Sequence, residues 1–577
     1  MQADVADVGI QVGKEGHFIQ IPFDVLSIIS QTGYVVHAGW WRPVENEALD
    51  FAREIMGKMS EPARLPLKAA LEYFSQRHHN PYVTFEPEAP DFGQIFSSDS
   101  YSSVSSLFIR PLYEYQKDGL KWLQYCCLNQ TGGLLGDDMG LGKTAQTIAL
   151  ITWLIEKEIL SNILIVVPST LLENWRREFQ TFAPSIVPYI HHGNDRSGSI
   201  RLLASQKVVL TSYSMIINDM YLFNKITWGL VLLDEASLIR NPDSERRNAL
   251  RQIPATVRIA MTGTPIENSL LDLWSIIDFI KPDYLGSRTD FLERYHHRDI
   301  KKAIDSSNLQ QLKTDISYIM LRRKKEDVLK SLPEKIDIHQ ALTMKAGEAR
   351  LYEDQRLSVL DGKQQEPGTF LKLIQDLRQL TTHPVLLQKD RLSDIGIEEL
   401  RSLSTKFDRT CELLDEIRDR NEKVLIFTEY LNMIDLMRNV FQQRYNIPVF
   451  TIDGRVDTAM RQENIDTFSS RDGFGLMVLN PRTAGMGLNI TAANHVIHYT
   501  RQWNPALEVQ ASARAYRNGQ KKGVNIYYLY YTDTIEEVID ERLRLKTELS
   551  SEIITESDTE SGMDHYLNAI TKSPLNK

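Results

Sequence analysis

The chain has 577 residues, of which 42% are hydrophobic and 25% are charged, and its formal net charge at pH 7 is −10; a chain of this length predicts about three or four structural units, each with its own core. The acidic balance argues against a globally basic nucleic-acid binder, but it allows a local basic groove, because affinity depends on the charges that face the phosphates. The sequence has no run of about 18 apolar residues, no secretory signal and no metal-ligand spacing among its cysteines, so we expect a cytoplasmic protein without a membrane span, a disulfide framework or a zinc site.

Residues 1–105 predict a small α+β N-terminal accessory domain. Strand-like pieces such as HFIQI and GYVVHAGWW alternate there with one helix-like stretch, ENEALDFAREIMGKM, and the polar run FSSDSYSSVSS indicates a linker. This segment contains no chemical motif. By elimination, residues 1–105 are the best candidate for binding a protein partner.

From residue 106 onward, apolar β-branched strands alternate with amphipathic helical stretches. The strands are NILIVVPS, KVVLTSYS, LVLLDEAS and VRIAMTGTP, and the same pattern returns in KVLIFTEY, PVFTIDG, GLMVLN, HVIHYT and GVNIYYLYY. Strands this apolar are buried on both faces, which favours parallel sheets covered by helices. We therefore predict an α/β protein with parallel-sheet domains at residues 106–340 and 416–555, a helical connector at 341–415 and a polar tail at 556–577.

The strongest local signal is GLLGDDMGLGKTAQTIAL, which places a glycine-rich turn between an apolar strand and a helix. Glycines let backbone N–H groups surround phosphate oxygens, and the helix N-terminus adds partial positive charge. Lys143 is expected to reach the β- and γ-phosphates of ATP, and Thr144 is expected to hold Mg²⁺. Asp137 replaces the first glycine of the usual P-loop pattern. The expected nucleotide-binding residues of the turn are Asp137, Asp138, Met139, Gly140, Leu141, Gly142, Lys143 and Thr144.

Two adjacent carboxylates end the apolar strand VLLDEAS, at the edge where open α/β sheets bind ligands. We expect Asp234 to bind Mg²⁺ through its coordination shell and Glu235 to orient or deprotonate the attacking water. A strand-end Asp-Glu pair that caps the next helix is the common alternative. The P-loop earlier in the chain favours the catalytic interpretation.

Many further motifs occur in the order that is typical of one enzyme family. They are RPLYEYQKDGLKWL, ILIVVPSTLLENWRREF, VVLTSYS, MTGTPIENSLLDLWSIIDFIKP, LRQLTTHPVLL, KVLIFTEY, TIDGRVDTAMRQENIDTF, RTAGMGLNITAANHVIHY and QWNPALEVQASARAYRNGQKKGV. From residue 108 to residue 540 the chain resembles the Swi/Snf-type ATPases, a branch of helicase superfamily 2. The resemblance implies two RecA-like lobes with ATP in the cleft and a glutamine, Gln116, that recognises adenine.

The resemblance also implies that Arg514 and Arg517 act as arginine fingers at the γ-phosphate. Phosphoryl transfer needs positive charge at the developing transition state, and arginine presents that charge rigidly. Without the surrounding motif, two arginines on one helix would be surface residues. The sequence departs from the family pattern near this helix at Thr500, where aspartate is usual, and at Asn518, where isoleucine is usual.

Ser237 occupies the position at which many relatives carry the histidine of Asp-Glu-Ala-His. In those relatives the histidine looks like a link between the nucleotide site and the segment that is Thr262–Thr264 here. Because Asp234 and Glu235 are intact, hydrolysis should be kept. The shorter Ser237 should alter the coupling of hydrolysis to DNA.

The resemblance implies DNA contacts from loops at one rim of both lobes. Hydroxyl groups, backbone N–H groups and arginines suit phosphate oxygens and carry no base information, so binding should be sequence-independent and sensitive to salt. A plain surface loop is the alternative for each candidate, and the basic run LRRKKEDVLK has a solvated helix face as its alternative. The candidate DNA-binding residues are Ser169, Thr170, Thr211 to Ser214, Arg455, Arg482 and Thr483.

Three functions remain open from the sequence. The first is an ATP-dependent translocase on double-stranded DNA that remodels or displaces bound proteins without strand separation. The second is an ATP-gated DNA-sensing subunit of a larger complex, such as an anti-phage defence complex, that signals to a partner nuclease. The third is remodelling of RNA polymerase. In each case we expect a DNA-dependent ATPase that acts as a monomer or as a subunit of a complex.

Overall fold

A computed structural model provides the fold. It describes residues 5–7, 10–14, 17–21, 29, 32, 34–37, 40–59, 64–66, 69–70, 72–73, 104–194, 196–266, 269–295, 307–329, 333–360, 367–388, 395–484, 488–517, 519–550 and 572–575. The chain divides into two compact units. The first unit comprises residues 1–136, 143–265 and 271–322, and the second comprises residues 137–142, 266–270 and 323–577.

The N-terminal part of the first unit contains antiparallel strand pairs and one helix. The pairs are β1 (Val5–Asp7) with β6 (Arg64–Pro66), β2 (Ile10–Lys14) with β3 (His17–Ile21), and β4 (Tyr34–His37) with β5 (Trp40–Pro43), and the helix is α1 (Asn46–Lys58). Phe51 of α1 packs edge-on against Tyr73, with ring centroids 5.3 Å apart. The described residues of this segment include strands and a helix, and the segment belongs to the first compact unit. Residues 96–103 of the expected linker lie outside the described residues.

A seven-stranded parallel sheet forms the core of the first unit, with strand order β13-β7-β12-β11-β8-β10-β9. Its strands are β7 (Gly133–Leu135), β8 (Ile163–Val167), β9 (Tyr189–His191), β10 (Val208–Ser212), β11 (Trp228–Leu233), β12 (Ala255–Met261) and β13 (Met320–Leu321). Every residue of β8, β10 and β11 is buried. The apolar runs of the sequence therefore correspond to strands covered on both faces, as the parallel-sheet interpretation requires.

Helices connect the parallel strands of this sheet. They are α2 (Glu114–Leu128), α3 (Lys143–Glu156), α4 (Leu172–Phe182), α5 (Ile200–Ser205), α6 (Tyr213–Asn218), α7 (Met220–Phe223), α8 (Glu245–Gln252), α9 (Leu270–Ile280), α10 (Arg288–Tyr295) and α11 (Ser307–Ser317). Short 3-10 segments follow β8 at Ser169–Leu171 and β11 at Ala236–Ile239. Parallel strands need such crossovers, since a tight hairpin can join only antiparallel neighbours.

A six-stranded parallel sheet forms the core of the second unit, with strand order β14-β19-β18-β15-β17-β16. Its strands are β14 (Lys335–Leu342), β15 (Lys423–Phe427), β16 (Val449–Ile452), β17 (Gly475–Leu479), β18 (His495–His498) and β19 (Val524–Tyr531). Its helices are α12 (Lys325–Val328), α13 (Ala346–Leu360), α14 (Pro367–Thr382), α15 (Ile397–Leu403), α16 (Thr405–Asp419), α17 (Leu431–Tyr445), α18 (Thr458–Ser470), α19 (Pro481–Ala484), α20 (Pro505–Ser512) and α21 (Ile535–Ser550). The predicted α/β fold with two parallel-sheet lobes is confirmed.

The second sheet begins earlier in the chain than the sequence suggested. Strand β14 pairs with β19 from Lys335 opposite Val524 to Leu342 opposite Tyr531. The sequence analysis had placed residues up to 340 in the first lobe and had started a connector at 341. The burial pattern of β14 explains the difference, because its residues alternate between exposed and partly buried and lack the apolar character of the other strands.

The helices of the expected connector pack into the second unit. Residues of α13 and α14 share one apolar cluster with α21, and its members include Tyr352, Leu377 and Ile535. Within the described residues, no helix has the length and apolar character needed to cross a bilayer. Of the expected polar tail at 556–577, only residues 572–575 belong to the described residues.

A buried ion pair also fastens α16 to α21. The Lys406 ammonium group lies 2.5 and 2.6 Å from the two carboxylate oxygens of Glu536, and both side chains are buried. Burial lowers the pKa of Lys406, and the negative charge of Glu536 opposes that change. Tyr531 accepts a hydrogen bond from the Lys406 backbone N–H at 2.8 Å and donates one to Glu348. Removing one partner of such a pair costs about 3–5 kcal/mol, because a buried charge is left uncompensated.

Candidate functional site

The candidate residues of the first unit lie at the carboxyl edge of its sheet. Strands β7, β12 and β11 are consecutive neighbours and run parallel. The glycine-rich turn follows β7, Thr262 follows β12, and Asp234 follows β11. Because parallel strands present their carboxyl ends at one edge, the ends of β7, β12 and β11 lie together there, where α/β sheets bind ligands.

Asp234 accepts three hydrogen bonds. Its Oδ2 accepts a hydrogen bond from the Trp175 indole N–H at 2.8 Å, and its Oδ1 accepts one from the backbone N–H of Glu235 at 2.9 Å. Its carbonyl oxygen accepts a hydrogen bond from the Tyr213 hydroxyl at 2.7 Å. Desolvation raises the pKa of Asp234, and the hydrogen bond from Trp175 and the positive charge of Lys143 oppose it. The carboxylate is thus fixed in orientation beside a lysine.

Glu235 adopts a left-handed backbone conformation, with φ 50° and ψ 52°. A residue other than glycine in this region costs about 1–3 kcal/mol, and such residues cluster at functional sites. Glu235 makes no side-chain cap on the 3-10 segment Ala236–Ile239 that follows it. The helix-capping interpretation of the Asp-Glu pair therefore has no support here, and the catalytic interpretation remains.

Asp137 has a partner that the sequence analysis did not foresee. Its buried carboxylate accepts hydrogen bonds from Arg323, at 2.9 Å from Nε and also from Nη2. We had expected Asp137 to be a nucleotide-binding residue of the P-loop. The carboxylate is instead neutralised by Arg323, so the side chain anchors the turn and does not face phosphate. The side chain of Asp137, which replaces the first glycine of the usual P-loop pattern, therefore has a structural role.

The rest of the turn is also tied to the basic run that follows β13. The Asp138 carboxylate accepts a hydrogen bond from the backbone N–H of Lys325 at 3.0 Å. Gly140 has φ 88° and Gly142 has φ 75°, a region that favours glycine. A Cβ added at Gly140 would lie 3.2 Å from Cβ of Arg517 and 3.4 Å from Cε of Lys325. Small residues at these positions let the backbone curl tightly.

The structural role of the basic run was missed from the sequence. Arg323 and Lys325 belong to LRRKKEDVLK, which had a solvated helix face as its alternative. The Lys325 ammonium group instead donates to the Tyr516 carbonyl at 2.8 Å and lies 5.4 Å from the centroid of that ring. The only sequence signal for this role was the density of basic residues after a strand.

Helix α3 opens at Lys143 directly after the turn. The Thr147 hydroxyl donates to the carbonyl oxygens of Lys143 and Thr144, at 3.0 and 2.9 Å. The helix N-terminus and the lysine both favour a bound anion. In the described part of the chain, no group of three His, Cys, Asp or Glu side chains is placed to hold a metal.

Gln116 is buried and takes part in the cap of helix α2. Its Oε1 accepts a hydrogen bond from the backbone N–H of Tyr113 at 3.0 Å. The rings of Tyr113 and Tyr115 stack beside it, with centroids 5.9 Å apart. The cap fixes the orientation of the amide group, which is what recognition of a base edge by Gln116 would require.

Arg514 and Arg517 converge on one carbonyl oxygen in the second unit. Each places its Nη1 3.3 Å from the carbonyl oxygen of Leu488. Arg514 also donates from Nε to Gln510 at 3.0 Å, and its Nη2 lies 4.0 Å from the sulfur of Met139. Two neighbouring guanidinium groups, one of them in contact with Met139 of the glycine-rich turn, form an arrangement that attracts anions.

Two departures from the family pattern lie near these arginines. The Thr500 hydroxyl is buried and hydrogen-bonded to the Thr428 hydroxyl at 3.0 Å. The hydroxyl of Thr500 therefore has a hydrogen-bond partner inside the second unit. Asn518 lies outside the described residues.

Ser237 has no hydrogen bond to the Thr262–Thr264 segment within the described residues. Thr262 Oγ1 accepts a hydrogen bond from the Thr264 backbone N–H at 3.1 Å. The Thr264 hydroxyl is buried and has no hydrogen-bond partner among the described residues. A longer side chain with a ring nitrogen at position 237 could supply one.

We expect Ser237→His to leave the basal ATPase rate within about threefold, because Asp234 and Glu235 are unchanged. The ratio of DNA-stimulated to basal rate should change by about fivefold or more, since the substitution alters the link between the two sites. Steady-state ATPase assays with and without duplex DNA measure both rates. An unchanged ratio would show that position 237 has no part in coupling.

The DNA-binding candidates of the first unit differ in exposure. Ser169 and Ser214 are exposed, and Thr170 is partly buried. Thr211 is fully buried, and its hydroxyl donates to the carbonyl oxygen of His191 at 2.8 Å. The expectation that Thr211 contacts DNA is therefore wrong, because its side chain points into the protein and its hydroxyl is satisfied there.

The two arginine candidates for DNA binding in the second unit differ in their partners and exposure. Arg455 is bound by two carboxylates, with both Nη atoms 2.8 Å from Asp435 and its Nε 3.2 Å from Asp453. These two carboxylates already occupy the hydrogen-bonding groups of Arg455, which disfavours contact with phosphate. Arg482 is 71% exposed and lies 3.3 Å from Glu429. Of the two arginines, Arg482 is the better placed to meet a phosphate.

Thr483, the last candidate, is buried. Its hydroxyl is therefore poorly placed for a phosphate contact. Exposure retains Ser169, Ser214, Arg455 and Arg482 as candidates, and the two carboxylates that bind Arg455 make Arg482 the better candidate of the two arginines.

Comparison with known proteins bears on these assignments. A model of the SNF2-related domain matches residues 115–386, and a model of the helicase conserved C-terminal domain matches residues 405–519. The chain is 37% identical over 463 residues to the putative ATP-dependent helicase/translocase YwqA of Bacillus subtilis strain 168, and the match covers 78% of this chain and 50% of YwqA. It is 32% identical over 502 residues to the Zorya protein ZorD of Escherichia coli O139:H28, and the match covers 78% of this chain and 46% of ZorD.

Among solved structures, the Sulfolobus solfataricus SWI2/SNF2 ATPase core in complex with dsDNA is 31% identical to the chain. The match covers 82% of this chain and 100% of that chain, with a TM-score of 0.42. The chain spans about half the length of the curated relatives YwqA and ZorD.

Proposed function

Because the chain belongs to the SNF2-related family of ATP-dependent helicases, we propose that it is a DNA-dependent ATPase that translocates along double-stranded DNA. It would remodel or displace bound proteins without separating the strands. The observation that carries this proposal is the fixed Asp234-Glu235 pair, which shares one sheet edge with the glycine-rich turn and Lys143. Such an arrangement suits phosphoryl transfer to water.

The residues have distinct roles in the proposed reaction. Gln116 recognises adenine, backbone N–H groups of residues 138–142 surround the phosphates, and Lys143 binds the β- and γ-phosphates. Glu235 accepts a proton from water as its oxygen attacks the γ-phosphorus, and the bond to the β–γ bridging oxygen breaks to give ADP and phosphate. Thr144 and Asp234 suit Mg²⁺, because both offer oxygen ligands. Bound Mg²⁺ supplies positive charge to the β- and γ-phosphates.

Arg514 and Arg517 would stabilise the charge that develops on the γ-phosphoryl oxygens. Their convergence on Leu488 supports this role, since it holds both guanidinium groups in one place. Lys325 and Arg323 support the turn through Asp138 and Asp137. Neither of these basic residues needs to touch the nucleotide for that purpose.

Ser169, Ser214 and Arg482 are the proposed contacts to the DNA backbone. Exposed hydroxyl groups and a guanidinium group bind phosphate without recognising bases. Binding of this kind is sequence-independent and weakens steeply with salt. The net charge of −10 confines such contacts to local surfaces of the chain.

A second candidate function is an ATP-gated DNA-sensing subunit of a larger complex. The three antiparallel strand pairs formed by β1 to β6 carry no catalytic motif. They favour this second function, because residues 1–105 would then serve to bind a partner. A translocase should displace a third strand annealed to duplex DNA when ATP is added. A sensing subunit should form a stable complex with DNA and leave the third strand in place.

The proposed function predicts that duplex DNA stimulates ATP hydrolysis by about tenfold or more. Single-stranded DNA and RNA should stimulate it much less, because the proposed track is a duplex backbone. Steady-state ATPase assays with the three nucleic acids at matched nucleotide concentration measure this. Stimulation by RNA alone would contradict the proposed track.

A further inference from the structure

Three neighbouring strands of the first sheet carry both the metal-binding carboxylate and the proposed DNA contacts. Strands β11, β8 and β10 are adjacent and parallel. Asp234 follows β11, Ser169 lies just after β8, and Ser214 lies just after β10. The carboxyl edge of the sheet therefore places two exposed serines on the segments that follow the next two strands on one side of β11, the strand bearing Asp234.

Each flanking segment sends one aromatic side chain back to Asp234. Trp175, on helix α4 behind Ser169, donates its indole N–H to Oδ2 of Asp234 at 2.8 Å. Tyr213, next to Ser214, donates its hydroxyl to the Asp234 carbonyl at 2.7 Å. Trp175 and Tyr213 are both buried. Two hydrogen bonds thus join both segments to one residue, one at its carboxylate and one at its backbone carbonyl.

The position of Tyr213 makes it a rigid link. It is the first residue of α6, and the preceding residue, Ser212, ends β10 with its hydroxyl 3.1 Å from the Ser214 hydroxyl. A shift of the backbone at Ser214 must therefore move either Tyr213 or Ser212. Because a buried ring has little room to reorient, a displacement of the loop reaches the Asp234 carbonyl. The adjoining peptide leads directly to Glu235.

We propose that Tyr213 and Trp175 are positioning residues that transmit DNA contact at the loops after β8 and β10 to Asp234 and Glu235. The inference rests on the proposed DNA-dependent ATPase activity. Phosphate contact at Ser214 and Ser169 holds the two loops, and the two aromatic side chains then hold the carboxylate pair in its productive orientation. Without DNA the same residues permit a wider range of orientations and slower hydrolysis.

Tyr213→Phe removes only the oxygen atom that donates to Asp234. We expect it to lower the DNA-stimulated kcat by about 3- to 10-fold, the range for loss of one hydrogen bond, and to lower the ratio of the DNA-stimulated to the DNA-free rate. The KM for ATP should stay within about twofold, because no nucleotide contact is lost. Steady-state kinetics with and without duplex DNA give these values.

Tyr284→Phe is the matched control, since the Tyr284 hydroxyl donates to the backbone carbonyl of Asp315 at 2.8 Å in the same unit. Both substitutions delete a buried hydrogen bond of the same type, so both lower stability similarly. Only Tyr213→Phe should lower the stimulation by DNA. A reduction of stimulation by Tyr284→Phe to the same extent would overturn the proposal, because it would mark a general loss of rigidity.

The mutual effect of DNA and nucleotide on each other's binding affinity gives a second measurement. A residue with a merely structural role would leave this effect unchanged. If DNA, by holding Asp234 in its productive orientation, tightens the binding of Mg²⁺ with a non-hydrolysable ATP analogue, then that nucleotide complex must tighten DNA binding by the same factor. Fluorescence anisotropy of a labelled duplex measures this factor. Tyr213→Phe should reduce it toward one, while DNA affinity without nucleotide stays unchanged, and a factor equal to that of the wild type would overturn the inference.

The outcomes separate this inference from the proposed function. A wild-type protein that duplex DNA does not stimulate would overturn both. Stimulation of Tyr213→Phe equal to that of the wild type would overturn the link through Tyr213 and would leave the DNA-dependent ATPase standing. Trp175→Phe provides the second variant, since it removes the indole N–H that reaches Asp234 from the other loop, and it should lower stimulation in the same direction.

Discussion

Glu235→Gln should lower kcat by about 10²- to 10⁴-fold, the range expected when a general base is removed. The amide keeps the size of the side chain but cannot accept the proton of the attacking water. ATP binding should persist, because the glycine-rich turn and Lys143 are unchanged. Single-turnover hydrolysis and binding of a fluorescent ATP analogue measure the two effects separately.

Glu158→Gln is a matched control for this substitution. Glu158 also has a left-handed backbone, with φ 52°, and it is exposed after helix α3. Glu158 has the same backbone conformation as Glu235 but does not follow Asp234 at the end of β11. Its replacement should therefore leave hydrolysis unchanged. Substantial hydrolysis remaining in Glu235→Gln would remove Glu235 from the role of general base.

Replacing Arg514 or Arg517 with alanine should lower kcat by about 10³- to 10⁵-fold, the effect expected for an arginine finger. Arg514→Lys and Arg517→Lys should recover little of the activity, because lysine lacks the planar fork that arginine presents to phosphate oxygens. ATP affinity should change much less than kcat, since the charge is needed mainly in the transition state. Hydrolysis rates and nucleotide affinities of the four variants test this.

Arg471→Ala serves as the control, because Arg471 is an exposed residue that follows helix α18 in the same unit. The double variant of Arg514 and Arg517 should lose less than the sum of the two single losses, since the two groups act on the same phosphate. Wild-type hydrolysis rates in both alanine variants would exclude the finger assignment.

The sequence predicted the fold because its strands are unusually apolar. In β8, β10 and β11 every residue is buried, so a continuous run of Val, Ile and Leu identified them without ambiguity. Strand β14 lacked that signal, since its residues alternate between exposed and partly buried. The start of the second sheet was therefore placed too late. A strand at the edge of a sheet buries less of its surface and leaves a weaker pattern.

The candidate site was predictable wherever a residue acts through a local motif. The positions of Asp234, Glu235 and Lys143 follow from adjacent residues in the sequence. The partner of Asp137 did not, because Arg323 lies 186 residues further along the chain. Thr211 was misassigned because a threonine at the end of a fully buried strand looks the same in sequence whether its hydroxyl faces solvent or the core. Side-chain direction there depends on tertiary packing.

The roles of Trp175 and Tyr213 illustrate the same limit. Trp175 stood out in the sequence only as part of a matching motif, and Tyr213 fell within the range proposed for DNA contact. Their hydrogen bonds to Asp234 span 59 and 21 residues. Neither bond could be inferred before the order of β10, β8 and β11 in the sheet was known.

The ion pair between Lys406 and Glu536 sets an order of events during synthesis. The two residues are 130 positions apart, so a growing chain on the ribosome exposes Lys406 long before it contains its counter-ion. Domains generally acquire structure as their sequence emerges. The second sheet can be nearly complete at Tyr531, yet its interior would then enclose an ammonium group with no neutralising carboxylate. Stable closure of that interior must therefore wait until translation has passed Glu536, so α21 docks only after the strands of the second sheet have been synthesised.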